Sequence, residues 1–283
     1  MTSTEPLVTA DWLKSHIKAP DVRVVDATWV PPWSPNSGDG SARRLYLDAH
    51  IPGAVFFDID EIADAESPYP HMMPSPEKFS SKVRKMGLGD GKTIIVYDRS
   101  DFMASARVWW MFRLMGHKDV KVLDGGWTSW LKAGGHTEDL EPIVSERHHT
   151  VRMQSHLLKT IEQMKQGVAS GDLNILDARP ADRFAGAAPE PREGLSSGHM
   201  PGAFNVPAAD LLTSDGTLKS AEELKHILSD HFEKPNLTAS CGSGVSAAII
   251  LLALSRLGRD DVALYDGSWT EWASQPDCQI ATV

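Results

Sequence analysis

Short runs of β-branched and aliphatic residues alternate along this chain with longer stretches that are apolar around most of a helical circumference. The short runs are "VRVVDAT" (22–28), "TIIVYD" (93–98), "VKVLD" (120–124), "LNILDAR" (173–179), "LTASC" (237–241) and "VALYD" (262–266). Brief apolar runs stopped by a turn former are the pattern of parallel strands buried on both faces. The long stretches "MASARVWWMFRLMG" (103–116) and "VSAAIILLALSRLG" (245–258) each end on glycine, a helix stop signal. Strand, loop and helix in alternation predict an α/β fold, a mainly parallel sheet flanked by helices.

The pattern occurs twice. "HIPGAVFFDI" is echoed by "HMPGAFNVP", and "VKVLDGGWTSW" by "VALYDGSWTEW". Asp26 and Asp177, His50 and His199, and Asp124 and Asp266 recur in the same order at offsets of 142 to 151 residues. A period this long is a duplicated domain rather than a solenoid. Between about Ala133 and Gln154, "AGGHTEDLEPIVSERHHTVR" loses periodicity and is rich in Gly and charge. The expected division is therefore 1–140 and 155–283, with a linker over about 141–154.

Composition narrows the partners. The 283 residues carry 38 acidic and 28 basic side chains, a formal charge of −10 with no basic cluster, which argues against nucleic acid and anionic membranes. The longest wholly apolar run, Ala247 to Leu254, falls far short of a membrane span. The first residues show no secretory or transit pattern, and two cysteines make no disulfide framework. A cytoplasmic location is expected, or an organellar one if a presequence is absent from this sequence. No spacing of Cys, His or Asp suggests a metal site, and no cofactor is implied.

Cys241 carries the chemistry. Placed between strand "LTASC" and helix "VSAAIILLALSRLG", the loop "CGSG" lies at the C-terminal edge of the sheet, where open α/β sheets bind ligands. Small residues there let successive backbone N–H groups turn inward as an anion-binding nest at a helix N-terminus. Such a field stabilises a thiolate, as a nucleophilic cysteine requires. Inert packing would not need Gly242, Ser243 and Gly244 around it. In the first half Asp98 stands at the matching strand end, so one copy keeps the cysteine loop and the other has lost it.

With "SPYPHMMP", "ARVWWMFR", "DARPADRFAG", "EPREG", "GHMPGAFNVP" and "CGSGVSA" added, the chain resembles the two-domain rhodanese-type sulfurtransferases over essentially its whole length. The match is to the 3-mercaptopyruvate branch. The resemblance implies tandem rhodanese-like domains, the first inactive and the second catalytic. It implies a Cys241 persulfide that forms as pyruvate leaves and passes its sulfur to thioredoxin, another thiol acceptor or cyanide. Gly242, Gly244, Val245 and Ser246 would form the substrate loop, Ser246 keeping the hydroxyl where the family usually has threonine. Arg183 and Arg192 map onto carboxylate-binding arginines, the guanidinium fork being suited to that anion. Ser243, Asp60 and His71 map onto a proposed proton relay.

Local alternatives stand beside these roles. Asp60 could cap the helix begun in "DIDEIAD", and His71 could satisfy a loop carbonyl. Arg183 and Arg192 could be surface arginines, and Arg179 is expected in an inter-strand ion pair. His50, His199 and the tryptophans (Trp109, Trp110, Trp127, Trp130, Trp269, Trp272) read as scaffold, and Cys278 as an exposed tail thiol. A related phosphatase loop needs a terminal arginine where this chain has Ala247. The thiosulfate branch carries cations after its cysteine, whereas Gly242 and Ser243 are neutral, which favours a monoanionic donor. Thiosulfate–cyanide sulfur transfer is the runner-up, and a non-enzymatic carrier or binding module is a third reading.

Overall fold

The computed structural model describes residues 5–35, 37–38, 40–100 and 102–283. Among the described residues ten strands form two separate five-stranded sheets. The first contains β1 (Leu7–Val8), β2 (Val22–Asp26), β3 (Val55–Phe56), β4 (Thr93–Tyr97) and β5 (Val120–Leu123). The second contains β6 (Leu158–Lys159), β7 (Asn174–Asp177), β8 (Phe204–Asn205), β9 (Leu237–Ser240) and β10 (Ala263–Tyr265). Strand order is β1-β5-β4-β2-β3 in one sheet and β6-β10-β9-β7-β8 in the other. The second is the first advanced by five strands, and every pairing is parallel. The duplication read from sequence landmarks is thus a duplication of topology.

Alternation along each strand sends side chains to two different cores. In β4, Ile94 and Val96 enter one apolar cluster while Ile95 and Tyr97 enter another. In the second sheet Leu176 and Leu264 join that same first cluster, and Ile175 and Tyr265 face a third. One core is therefore shared by both sheets and one lies on each outer side. Helices Met103–Leu114 and Ala247–Arg256 pack against each other within the shared core. Each covers its own sheet on one side and its counterpart on the other, so both are apolar all round. Gly116 and Gly258, both at φ +90°, end these segments as the sequence predicts.

Among the described residues no helix is long and apolar enough to cross a membrane. His50 and His199 are buried turn residues whose Nδ1 atoms lie 2.7 Å from the Tyr46 carbonyl and 2.8 Å from the Phe184 carbonyl. Two expectations need correction. Cys278 is half-buried, packed against the cluster of Trp269 and Trp272, because the C-terminal tail folds back over the outer face. Arg179 does not bridge strands: its Nε and Nη2 grip Asp177, two residues back, at 2.6–3.0 Å.

Candidate active site

Cys241 follows β9 directly and is 2% exposed. It lines a cleft of about 480 Å³ walled by Trp29, Trp33 and Met103 from the first half and by Arg183, Arg192 and the cysteine loop from the second. The loop's carbonyls are tied outward. The Cys241 carbonyl accepts from Trp269 N–H at 3.0 Å, and that of Gly242 from Thr270 N–H at 2.9 Å and the Thr270 hydroxyl at 2.7 Å. The Gly244 carbonyl accepts from Arg107 Nη1 at 3.1 Å. In a trans peptide the following N–H points opposite to the carbonyl, so the amides of Gly242, Ser243 and Val245 face away from these anchors. Among the described residues no protein group accepts from the N–H groups of Gly242 through Ser246. A run of amides turned to one side at the start of helix Ala247–Arg256 is a seat for an anion.

The matching loop of the first half is built alike and filled from within. The Asp98 carbonyl accepts from Trp127 N–H at 3.0 Å, as that of Cys241 does from Trp269. Its carboxylate takes the N–H groups of Ser100, Ala104 and Ser105 at 3.2, 2.9 and 2.7 Å. Burial drives the Asp98 pKa above the ordinary carboxylate value, and those N–H groups oppose the rise. Asp98 therefore occupies the position of Cys241 and supplies its own anion.

Both arginines singled out in the sequence reach the cysteine loop. A methyl group on Gly242 would lie 3.3 Å from Arg183 Nη2 and 4.0 Å from Arg192 Nη1. Arg183 is ion-paired with Glu190, a buried carboxylate that also accepts from Arg179 Nη1 at 2.7 Å. Arg179 itself lies under the Trp269 ring at 4.3 Å and serves as the fixed end of this network. Arg192 stacks on Trp33 at 5.1 Å. Burial lowers the Arg192 pKa and Arg183 adds to the fall, while the Cys241 charge acts against it.

Across the cleft, His71 Nδ1 lies 2.5 Å from Asp60 Oδ1, and Trp29 Nε1–H donates to Asp60 Oδ2 at 2.9 Å. Burial works to raise the Asp60 pKa. The hydrogen bond and charge of His71, with Trp29 and Arg192, outweigh it and hold the carboxyl below the usual range. The helix-capping alternative falls to Asp58, whose side chain accepts from the N–H groups of Asp60 and Glu61. His71 Nε2 faces Arg192 Nη2 at 3.4 Å. Ser243 is buried and lines the cleft, but among the described residues no hydrogen bond joins it to His71.

Two tandem parallel domains with one cysteine nest match a known pattern: the rhodanese-like domain model fits residues 9–133 and again 160–275. The chain belongs to the rhodanese family. The 3-mercaptopyruvate sulfurtransferase of Escherichia coli (strain K12) is 39% identical over 284 residues, covering 99% of each chain. The thiosulfate sulfurtransferase of Gallus gallus is 41% identical over 276 residues, covering 94% of this chain and 92% of that one. The crystal structure of SseA from Escherichia coli, a 3-mercaptopyruvate sulfotransferase, superimposes with a TM-score of 0.84 at 37% identity, covering 94% and 99% of the chains. The relatives thus carry both donor names.

Sequence reasoning missed four groups around this rhodanese site. Trp29 and Trp33 lie in a Pro-rich segment without periodicity. Glu190 sits in "EPREG", a stretch of no regular periodicity, two residues before Arg192. Arg107 is enclosed in an apolar helix, its partners remote in sequence.

Proposed function

We propose that the chain is a 3-mercaptopyruvate sulfurtransferase, with an inactive rhodanese domain over 1–140 and a catalytic one over 155–283. The Cys241 thiolate attacks the donor sulfur, the carbon–sulfur bond breaks, and its electron pair passes to the methylene carbon as the enolate of pyruvate. Protonation of that carbon releases pyruvate and leaves a persulfide on Cys241. An acceptor nucleophile, the thiolate of thioredoxin or of a small thiol or else cyanide, then attacks the outer sulfur and restores the Cys241 thiolate.

The observation that carries the reading is the pairing of an unfilled amide nest with two guanidinium groups over Gly242. The nest, with Gly244, Val245 and Ser246 at its helix end, suits the thiolate and then the persulfide anion. Arg183 and Arg192 suit the donor carboxylate and the charge that grows on the enolate oxygen, a charge-assisted contact that strengthens in the transition state. The Asp60–His71 pair supports proton delivery to the enolate, with Ser243 as a cysteine-loop hydroxyl that lines the cleft. Sulfur chemistry of this kind needs a reduced thiol, in keeping with the cytoplasm or an organelle interior.

The thiosulfate reading rests on the Gallus gallus relative. Against it, Glu190 neutralises part of the Arg183 charge and residues 242 and 243 are uncharged, leaving less field for a dianion. Initial rates with the two donors decide between them. Pyruvate release from mercaptopyruvate well above thiosulfate turnover is expected, and the reverse order would give the activity to the runner-up.

A further inference from the structure

We propose that Arg107, a residue of the inactive domain, is a positioning residue that sets both the cysteine loop and His71 for sulfur transfer. The inference rests on the sulfurtransferase reading above and deepens it. Arg107 is fully buried in helix Met103–Leu114 and does not line the cleft. Its Nη1 lies 2.6 Å from Asp266 Oδ1 and donates to the Gly244 carbonyl at 3.1 Å. Its Nη2 donates to the His71 carbonyl at 2.6 Å. The second Asp266 oxygen accepts from Met73 N–H at 2.6 Å. One ion pair therefore joins the helix, the 71–73 segment, the cysteine loop and the end of β10.

Two of these anchors fall where the backbone most needs one. Gly244 stands at φ +74° and His71 at φ +62°, the left-handed region that a non-glycine residue adopts only when its surroundings hold it there. Fixing the Gly244 carbonyl fixes the direction of the Val245 amide on its other side. Fixing the His71 carbonyl holds the main chain from which the imidazole reaches Asp60. A fully buried ion pair is weak support for stability in itself, since apolar side chains of similar volume often serve as well. A guanidinium offers several donors in one rigid fork, which a lysine ammonium does not reproduce.

The duplication supplies an internal control. Asp124, the counterpart of Asp266, accepts from Leu218 N–H of the opposite domain at 2.9 Å. Arg256 donates to the carbonyls of Leu218 and Lys219 at 3.2 and 3.0 Å. The same style of interdomain anchor thus exists on the side of the inactive loop, where it serves no chemistry.

The test compares full-length Arg107→Lys, Asp266→Asn and Asp124→Asn with wild type. It measures melting temperature, kcat and KM for mercaptopyruvate, and pyruvate release in a single turnover with enzyme in excess. All three variants lose some thermal stability. Arg107→Lys and Asp266→Asn lose at least tenfold in kcat and in the single-turnover rate, with KM within threefold of wild type. Asp124→Asn keeps kcat within twofold. Should Arg107→Lys fail to fold, Asp266→Asn decides alone at a temperature where its circular dichroism is native. Wild-type kcat in folded Asp266→Asn, or an equal loss in Asp124→Asn, overturns the proposal. Wild-type enzyme inert toward both mercaptopyruvate and thiosulfate defeats the sulfurtransferase reading instead.

Discussion

Two alanine substitutions two residues apart should have opposite consequences. At Gly244 a methyl group would stand 2.5 Å from the Asp266 carbonyl oxygen and 3.1 Å from Arg107 Nη1, on a backbone at φ +74°. Left-handed geometry costs an alanine about 1–2 kcal/mol. Relief of a backbone contact that close adds about 1–3 kcal/mol, because neither strand end nor loop can yield cheaply. A loss of about 2–5 kcal/mol corresponds to a melting temperature lowered by roughly 3–8 °C for a chain of this size. The relief must also displace the Val245 amide, and a shift approaching 1 Å costs about 100-fold in rate. At Gly242, which has no positive φ, the methyl would meet the flexible tips of Arg183 at 3.3 Å and Arg192 at 4.0 Å. Gly242→Ala should melt with wild type and raise KM for mercaptopyruvate by crowding the anion site. Differential scanning calorimetry and steady-state kinetics on both variants supply the readout. A Gly244→Ala protein as stable and active as wild type would mean that this turn does not need glycine, and an equal stability loss in Gly242→Ala would mean that the left-handed geometry is not its cause.

Other perturbations reach different parts of the molecule. Removing one cation from the donor site, Arg192→Met should raise KM for mercaptopyruvate by about 10- to 100-fold, the worth of one or two charge-assisted hydrogen bonds; an unchanged KM in steady-state assays would place the carboxylate elsewhere. Asp98→Asn replaces an acceptor of three N–H groups by a side chain that is half donor, and should cost about 1–3 kcal/mol in chemical denaturation while kcat stays at the wild-type value. His149, in the segment between the domains, is 3% exposed with neither ring nitrogen hydrogen-bonded among the described residues, and burial, reinforced by His117 and opposed by Asp90, brings its pKa to about 4. The unfolded chain then binds a proton that the native state refuses between pH of about 6.5 and 4, so stability falls as pH falls through that window, by up to about 3 kcal/mol. Urea unfolding of His149→Phe at pH 7.5 and 4.5 should show a smaller acid loss than wild type; an equal loss would remove His149 from the explanation.

The parts of the fold that were legible from sequence are those fixed by local pattern. Apolar runs ending in Asp26, Asp98, Asp177, Cys241 and Asp266 became the central strands of two identically ordered sheets because burial on both faces leaves periodicity no room to mislead. The cysteine loop was legible because its small residues have a backbone purpose. Partners that depend on tertiary placement were not. Arg107 reads as a flaw in an apolar helix until Asp266, 159 residues on, is brought beside it. Arg179 suggested a bridge between strands, yet its nearest carboxylates were Asp177 on the strand just before it and Glu190 on a loop of no regular pattern. Asp58 and Asp60 are both plausible caps by composition, and only the structure assigns the cap to Asp58 and leaves Asp60 for His71.

The proposed activity stands on a Cys241 persulfide loaded from mercaptopyruvate. Its most direct test is the intact mass of the protein after brief exposure to mercaptopyruvate and, separately, to thiosulfate, with Cys241→Ser alongside and pyruvate measured in the same samples. The expected result is one added sulfur on the wild-type chain with pyruvate released in equal amount, much slower loading by thiosulfate, and no added sulfur on Cys241→Ser. Sulfur appearing on Cys241→Ser, or loading faster from thiosulfate than from mercaptopyruvate, would contradict it.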